Sequence, residues 1–281
     1  MGEASLRIRL LGTLALTWND EPLPVPSSPK ARSLLAHLIL NHNHLISRDR
    51  LAGVFWSDRS DARARRALSQ ALWQARSSLG PAAGRLVTER DGATFELHDD
   101  DWLDVRAFER AVGKYTGRED QMGDGASDQP ASDYLDLGVA ADLYRADFLE
   151  SIYDDWALLE RERLRELYLG ALERLVLLCK QGGGYEQALV YAQRLAAADP
   201  LREGAHRELM QLYHLLGRSQ MALEQFVTLR DLLAKEMGTQ PMPASVSLYH
   251  EIVDALADVD LPHLPVAPPP PPLLHDLAHL P

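Results

Sequence analysis

The stretch DARARRALSQALWQARSSL, residues 61–79, decides how the first third of this chain reads. At 100° per residue Leu68, Leu72, Ala75 and Leu79 fall in one narrow stripe, flanked by Ala64 and Ala71. Arg63, Arg66, Gln70, Trp73, Gln74 and Ser77 take the opposite face, with Trp73 about 140° from Leu68. The spacing predicts an amphipathic helix whose apolar back seats on a small core. Its front offers donors of the kind that reach base edges in a major groove. An ordinary solvated face has the same pattern, so the flanking segments must decide between the two.

Upstream, Leu6–Leu11 and Leu14–Trp18 are short, apolar and bounded by turns. Asn19-Asp20 marks a turn and Pro22–Pro26 runs extended, which predicts a small antiparallel sheet. Ser28-Pro29 opens a helix with Leu34, Leu35, Leu38 and Ile39 on one side. Ser47 caps a second helix carrying Leu51, Val54, Phe55 and Trp56. Downstream of the decisive helix, Leu86–Thr88 and Thr94–Leu97 flank Glu89-Arg90-Asp91-Gly92-Ala93, and Asp-Gly between strand-like runs signals a hairpin. Sheet, three helices and hairpin, in that order, predict a winged helix-turn-helix over residues 1–98.

The chain has 281 residues, 46% of them hydrophobic and 25% charged, which suits two globular domains. No run of about 18 apolar residues occurs, so no membrane-spanning helix is expected. The start, MGEASLRIRLLG, does not read as a secretory signal. The single cysteine, Cys179, excludes an internal disulfide and suits a cytoplasmic location. The net charge of −12 is unevenly spread. Residues 1–98 hold 13 Lys and Arg against 9 Asp and Glu, a balance of +4; residues 99–281 hold 16 against 32, a balance of −16. The asymmetry points to two jobs, and the mild basicity of the first part to modest DNA affinity unless it is dimerised or tethered.

Asp99-Asp100-Asp101 reads as a short acidic junction, and residues 104–258 as a helical domain. The polar stretch 117–132 within it is expected to be a mobile loop. A 34-residue self-similarity follows: Leu175 matches Leu209, Val176 Met210, Gly183 Gly217, Ala188-Leu189 Ala222-Leu223, Ala192 Phe226 and Leu195 Leu229. This is the tetratricopeptide period, with a degenerate third unit expected in Tyr134–Leu167 and a closing helix on Leu248, Ile252, Ala255 and Leu256. Residues 259–281, with seven prolines in 262–272, are expected to form a disordered tail.

Several features tempt toward other chemistry. Gly182-Gly183-Gly184 lacks the Gly-Lys-Ser/Thr of a phosphate cradle and reads as a turn between helices. His42 and His44 have no second ligand pair at metal-site spacing. Cys179 falls at a core-facing repeat position, and the charges of 160–166 read as a solvated helix face. No catalytic, metal or cofactor constellation emerges, which ranks an enzyme last.

The segments LLGTLAL, PKARSLLAHLIL, ISRDRLAGVFW, ARRALSQALWQARSSLG and RLVTERDG together resemble the OmpR/PhoB-type winged helix, and more narrowly the N-terminal domain of Streptomyces antibiotic regulatory proteins. AADLYRADFLES, WALLERERLRELYLGALERL, the run from Ala198 to Gly238 and the closing helix resemble the bacterial transcriptional activation domain that follows it in that family. The resemblance implies that residues 63–79 form the recognition helix, with Arg66, Gln70, Trp73, Gln74 and Ser77 toward DNA. It places Arg48 and Arg50 near phosphates and Arg85 and Arg90 beside the wing. The wing departs from the family's Pro-Gly-Tyr, carrying Asp-Gly-Ala-Thr-Phe instead. The function implied is a sequence-specific transcriptional activator whose partners are double-stranded DNA, RNA polymerase and a second protomer on tandem sites. Neither a receiver domain nor a nucleotide-hydrolysing module is expected. The competing reading is a helical-repeat interaction scaffold whose winged helix does not bind DNA.

Overall fold

The computed structural model describes residues 5–119 and 129–259. The chain is mainly helical with a small β part and divides into two compact units, residues 1–199 and 200–281.

The first unit opens with β1 (Leu6–Arg9), β2 (Ala15–Trp18) and β3 (Glu21–Leu23), antiparallel as expected. Leu6 and Ile8 point to the core while Arg7 and Arg9 point outward, the period-two pattern of a half-buried strand. Asn19 and Asp20 have φ of 50° and 67°, so this pair makes the two-residue turn with both centres left-handed that hairpins favour. The sheet has a fourth strand that local patterning did not predict: β7 (Trp102–Leu103) lies parallel to β1, giving the order β3-β2-β1-β7.

α1 (Pro29–Leu40), α2 (Arg48–Trp56) and α3 (Asp61–Ser78) follow. The Ser47 side chain accepts from the Arg50 backbone N–H and caps α2, as predicted. A short 3-10 turn over Gly80–Arg85 leads into β5 (Leu86–Thr88) and β6 (Gly92–Phe95). Between the helices, β4 (Ile46–Ser47) adds to β6, so the hairpin is part of a three-stranded sheet ordered β4-β6-β5. The Asp-Gly signal predicts the hairpin, but its glycine works differently from expectation. Gly92 is not a left-handed turn residue; a Cβ there would lie 2.5 Å from the Ile46 carbonyl oxygen. It lets β4 approach.

α4 (Asp104–Glu119), α5 (Gln129–Leu143), α6 (Asp155–Gln181) and α7 (Tyr185–Ala198) complete the first unit. Helix covers both ends of the loop expected at 117–132; residues 120–128 lie outside the described ones, as does the proline-rich stretch 262–272. The region expected to hold a degenerate third repeat, Tyr134–Leu167, contains the end of α5 and the start of α6, which pack on each other, and Leu149 takes a left-handed φ of 46° one period of 34 residues before Gly183. Residues 144–154 are non-helical, and α6 then runs unbroken.

The acidic junction is not a linker. The Asp101 side chain is fully buried, accepting from Leu6 N at 2.9 Å, His98 N at 2.8 Å and Arg85 at 3.0 Å. Asp104 accepts from the backbone N–H groups of Leu10, Leu11 and Val105 at 2.8–2.9 Å. The first strand, expected to reach Leu11, therefore ends at Arg9, because a carboxylate takes the donors that a ladder would use. Burial pushes the Asp104 carboxyl up, against those three donors.

Farther along, Gly12 N donates to Asp147 O at 3.0 Å and Leu149 N to Leu10 O at 2.9 Å. Leu149 holds a left-handed φ of 46° to do so, an outlier for a bulky residue. Arg161 donates to the carbonyls of Phe148, Leu149 and Ile152, so one member of the charge run is a staple rather than a solvated side chain. Lys30 meets Asp154 at 2.6 Å, and the Trp156 indole donates to Ser33 at 3.2 Å. The expected boundary at 98–104 thus lies inside one packed unit.

The second unit holds α8 (Glu203–Leu215), α9 (Ser219–Glu236) and α10 (Pro243–Val259), the closing helix. Phe226 stacks on Tyr249 at 4.5 Å, and Glu203 accepts from Met242 N and Ser245 Oγ. The 34-residue self-similarity is written into the backbone. Gly183 and Gly217 have φ of 75° and 72°. Gly184 N donates to Cys179 O and Arg218 N to Tyr213 O, each at 2.8 Å, the same left-handed helix cap twice. Ala188, Ala192 and Leu195 are buried in one unit, Ala222, Phe226 and Leu229 in the other.

Candidate nucleic-acid interface

α3 begins after Ser60, with Asp61 in its first turn and Arg76 in its last, charges that suit the helix dipole. Its back is buried as the periodicity predicts: Ala64, Leu68, Ala71, Leu72 and Ala75, with Leu79 just past the end. These side chains pack on α1 and α2. Burial of Leu68 and Leu72 contributes about 1.5–3 kcal/mol each. That anchorage fixes which way the other face looks.

The front is open. Arg63, Arg66, Gln70, Trp73 and Ser77 are all exposed, and Gln74 is half-buried at the edge. Trp73 is 68% exposed, the phase expected from its angle to Leu68. None of the side chains of Arg63, Arg66, Gln70 or Ser77 has a hydrogen-bond or ionic partner among the described residues. Arg50 and Arg90 are likewise exposed and unpaired there.

Two of the predicted residues are placed differently. Arg85 is 7% exposed, its guanidinium paired with Asp101 and lying 5.9 Å from the Trp18 ring. The expectation that it flanks the wing toward DNA is corrected: it is a buried structural cation. Arg48 is half-buried, and its Nε donates to the Glu89 carbonyl while a terminal nitrogen reaches Ser69. It ties α2, α3 and the β5–β6 turn together.

Sequence reasoning passed over Arg59, Arg65 and Arg76, all exposed in or just before α3. Arg65 is paired with Asp49 at 3.1 Å, whereas Arg59 and Arg76 have no side-chain partner among the described residues. The helical wheel carries the signal for Arg76, which flanks the polar face at about 80° from Arg66.

The other candidates offer no chemistry. Gly182–Gly184 is the helix cap described above. The Nδ1 atoms of His42 and His44 approach backbone carbonyls, and the described residues hold no group of three metal-ligating side chains. Cys179 is buried, which pushes its thiol up and away from the nucleophilic form. No helix among the described residues is long and apolar enough to cross a membrane.

Residues 103–253 match the bacterial transcriptional activator domain family. The chain is 28% identical over 268 residues to the transcriptional regulatory protein MoaR1 of Mycobacterium tuberculosis, covering 92% of this chain and 82% of that one. It is 30% identical over 252 residues to the regulatory protein AfsR of Streptomyces coelicolor, covering 89% of this chain but only 24% of AfsR. Among solved structures, Mycobacterium tuberculosis EmbR in complex with a low-affinity phosphopeptide superposes with a TM-score of 0.66 at 22% identity. That likeness covers 90% of this chain and 66% of EmbR, and it speaks to fold alone.

Proposed function

The chain belongs to the bacterial transcriptional activator domain family and is a transcriptional activator of the Streptomyces antibiotic regulatory type, and from that premise we propose that it reads DNA by docking α3 in the major groove. The observation that carries the proposal is the two-sided burial of α3. Its back is core, while Arg63, Arg66, Gln70, Trp73 and Ser77 face solvent. In this reading α2 and α3 are the helix-turn-helix and β5–β6 is the wing. Arg50, Arg63 and Arg90 neutralise phosphates and set the register. Arg66 and Gln70, at the centre of the face, read base edges, the bidentate donors of choice for guanine and adenine.

The +4 balance of residues 1–98 supplies limited electrostatic attraction, so two protomers on tandem half-sites gain affinity by linkage. The acidic remainder, at −16, is repelled by phosphate and is assigned to protein partners, RNA polymerase among them. The scaffold reading draws on Trp73, whose large exposed ring suits a protein contact as well as a groove. A salt titration separates the two. The DNA reading predicts that duplex affinity of the full chain falls linearly with log salt and that Arg63→Ala flattens the slope by about 1. A scaffold shows no such binding.

A further inference from the structure

A cavity of about 360 Å³ opens where residues 144–147 face α6 and α7. It lies in the strongly acidic part of the chain, yet three of its lining side chains are guanidiniums, Arg145, Arg165 and Arg194, against one carboxylate, Asp147. Arg194 is occupied: it donates to the Tyr168 hydroxyl and to Asp142 at 3.3 Å each and to the Ala141 carbonyl. Asp147 accepts from the Tyr144 hydroxyl at 3.0 Å. Among the described residues, Arg165 gives one bond, to the Ala198 carbonyl, and has no carboxylate partner, and Arg145 is exposed with no side-chain partner. Two cations therefore face one concavity with charge and donors to spare.

The shape of the site narrows what fits. Tyr144 stacks on Tyr168 at 4.2 Å with the rings 9° from parallel. Phe108 packs against Tyr144, and the Arg194 guanidinium lies 5.9 Å from the Tyr168 ring centroid. These rings already have partners, which leaves no platform for a nucleobase. The volume sits at the small end of ligand pockets. Arginine forks match carboxylate and phosphate oxygens in pairs. We propose that this cavity binds a compact polyanion, a phosphate- or carboxylate-bearing small metabolite, through Arg145 and Arg165.

Such a ligand would be felt beyond the cavity. The wall at Asp147 continues into the bridge that holds the loop after β1, since the Asp147 carbonyl takes the Gly12 N–H at 3.0 Å and Leu11 bridges Phe148. Occupancy tightens that attachment and raises the melting temperature by mass action.

The test uses the full chain at constant ionic strength, titrated by calorimetry with sodium pyrophosphate and separately with trisodium citrate, with sodium chloride as the baseline. Arg145→Glu is the variant, because its exposed, unpartnered side chain leaves folding intact, which circular dichroism verifies. The expected result is saturable binding of at least one anion and a loss of about tenfold or more in affinity in Arg145→Glu. The anion that saturates identifies the ligand chemistry. Binding of neither anion above the chloride baseline, or equal affinity in the variant, overturns the proposal.

Discussion

Two arginines of similar sequence character have opposite roles. Arg66 is exposed and unpaired, while Arg85 is buried against Asp101. Arg85→Ala strands a buried carboxylate and should cost about 3 kcal/mol of stability in urea unfolding. Arg66→Ala should leave the unfolding midpoint unchanged and weaken duplex binding. Equal midpoints for both variants would refute this division. His37 supplies a second residue-scale prediction. It packs edge-on to Phe55 at 5.6 Å and to Trp156 at 4.8 Å, and its Nδ1 is buried without a hydrogen-bond partner among the described residues. Burial, helped by the positive charge of Arg50, pulls its pKa down to about 4. The folded chain thus refuses a proton that the unfolded chain accepts below its ordinary value. Stability should be complete above about pH 6.5 and fall as pH drops toward 4, by about 2 kcal/mol once partial exposure is allowed for. In His37→Leu the stability lost over that segment should be smaller by that amount; a loss equal to that of the parent contradicts the assignment.

At the scale of elements, Gly92 makes the sharpest case. A methyl there meets a backbone oxygen at 2.5 Å, which cannot swing aside as a side-chain tip can. Gly92→Ala should cost about 1–3 kcal/mol and loosen the β4–β6 pairing. An unchanged melting temperature would show that β4 is not needed to seat the hairpin. The elements legible in the sequence are those whose signal is local. The stripe of α3 and the glycine caps 34 residues apart repeat at fixed spacing, and neither depends on a distant partner. The elements missed are short or non-local. β4 and β7 have two residues each, too few for any periodicity, and β7 pairs with a strand about 95 residues earlier. Asp101 and Asp104 look like a solvated acidic turn until Leu6, Leu10 and Leu11 bring their N–H groups to them. Arg161 hides likewise in a run of surface charges. Of the candidate interface, the phase of α3 is readable; the withdrawal of Arg85 into the core is not, because its partner Asp101 lies beyond the whole β5–β6 hairpin.

For the molecule as a whole, the bonds from β1 and the loop after it to residues 101–104 and 147–150 predict that residues 1–98 do not fold alone. A fragment ending at residue 98 loses the acceptors of Leu6, Leu10 and Leu11 and should lack a cooperative thermal transition. One ending at residue 199 should retain it. A sharp transition in the shorter fragment would show that the carboxylates are dispensable. The central claim, that the exposed face of α3 reads DNA sequence, is tested most directly by selecting bound duplexes from a random-sequence library with the full chain and with the Arg66→Ala/Gln70→Ala double variant. The account predicts that the parent enriches a tandem motif and that the variant, folded by circular dichroism, loses the preference at those base positions. No enrichment by the parent, or the same motif from the variant, would contradict it.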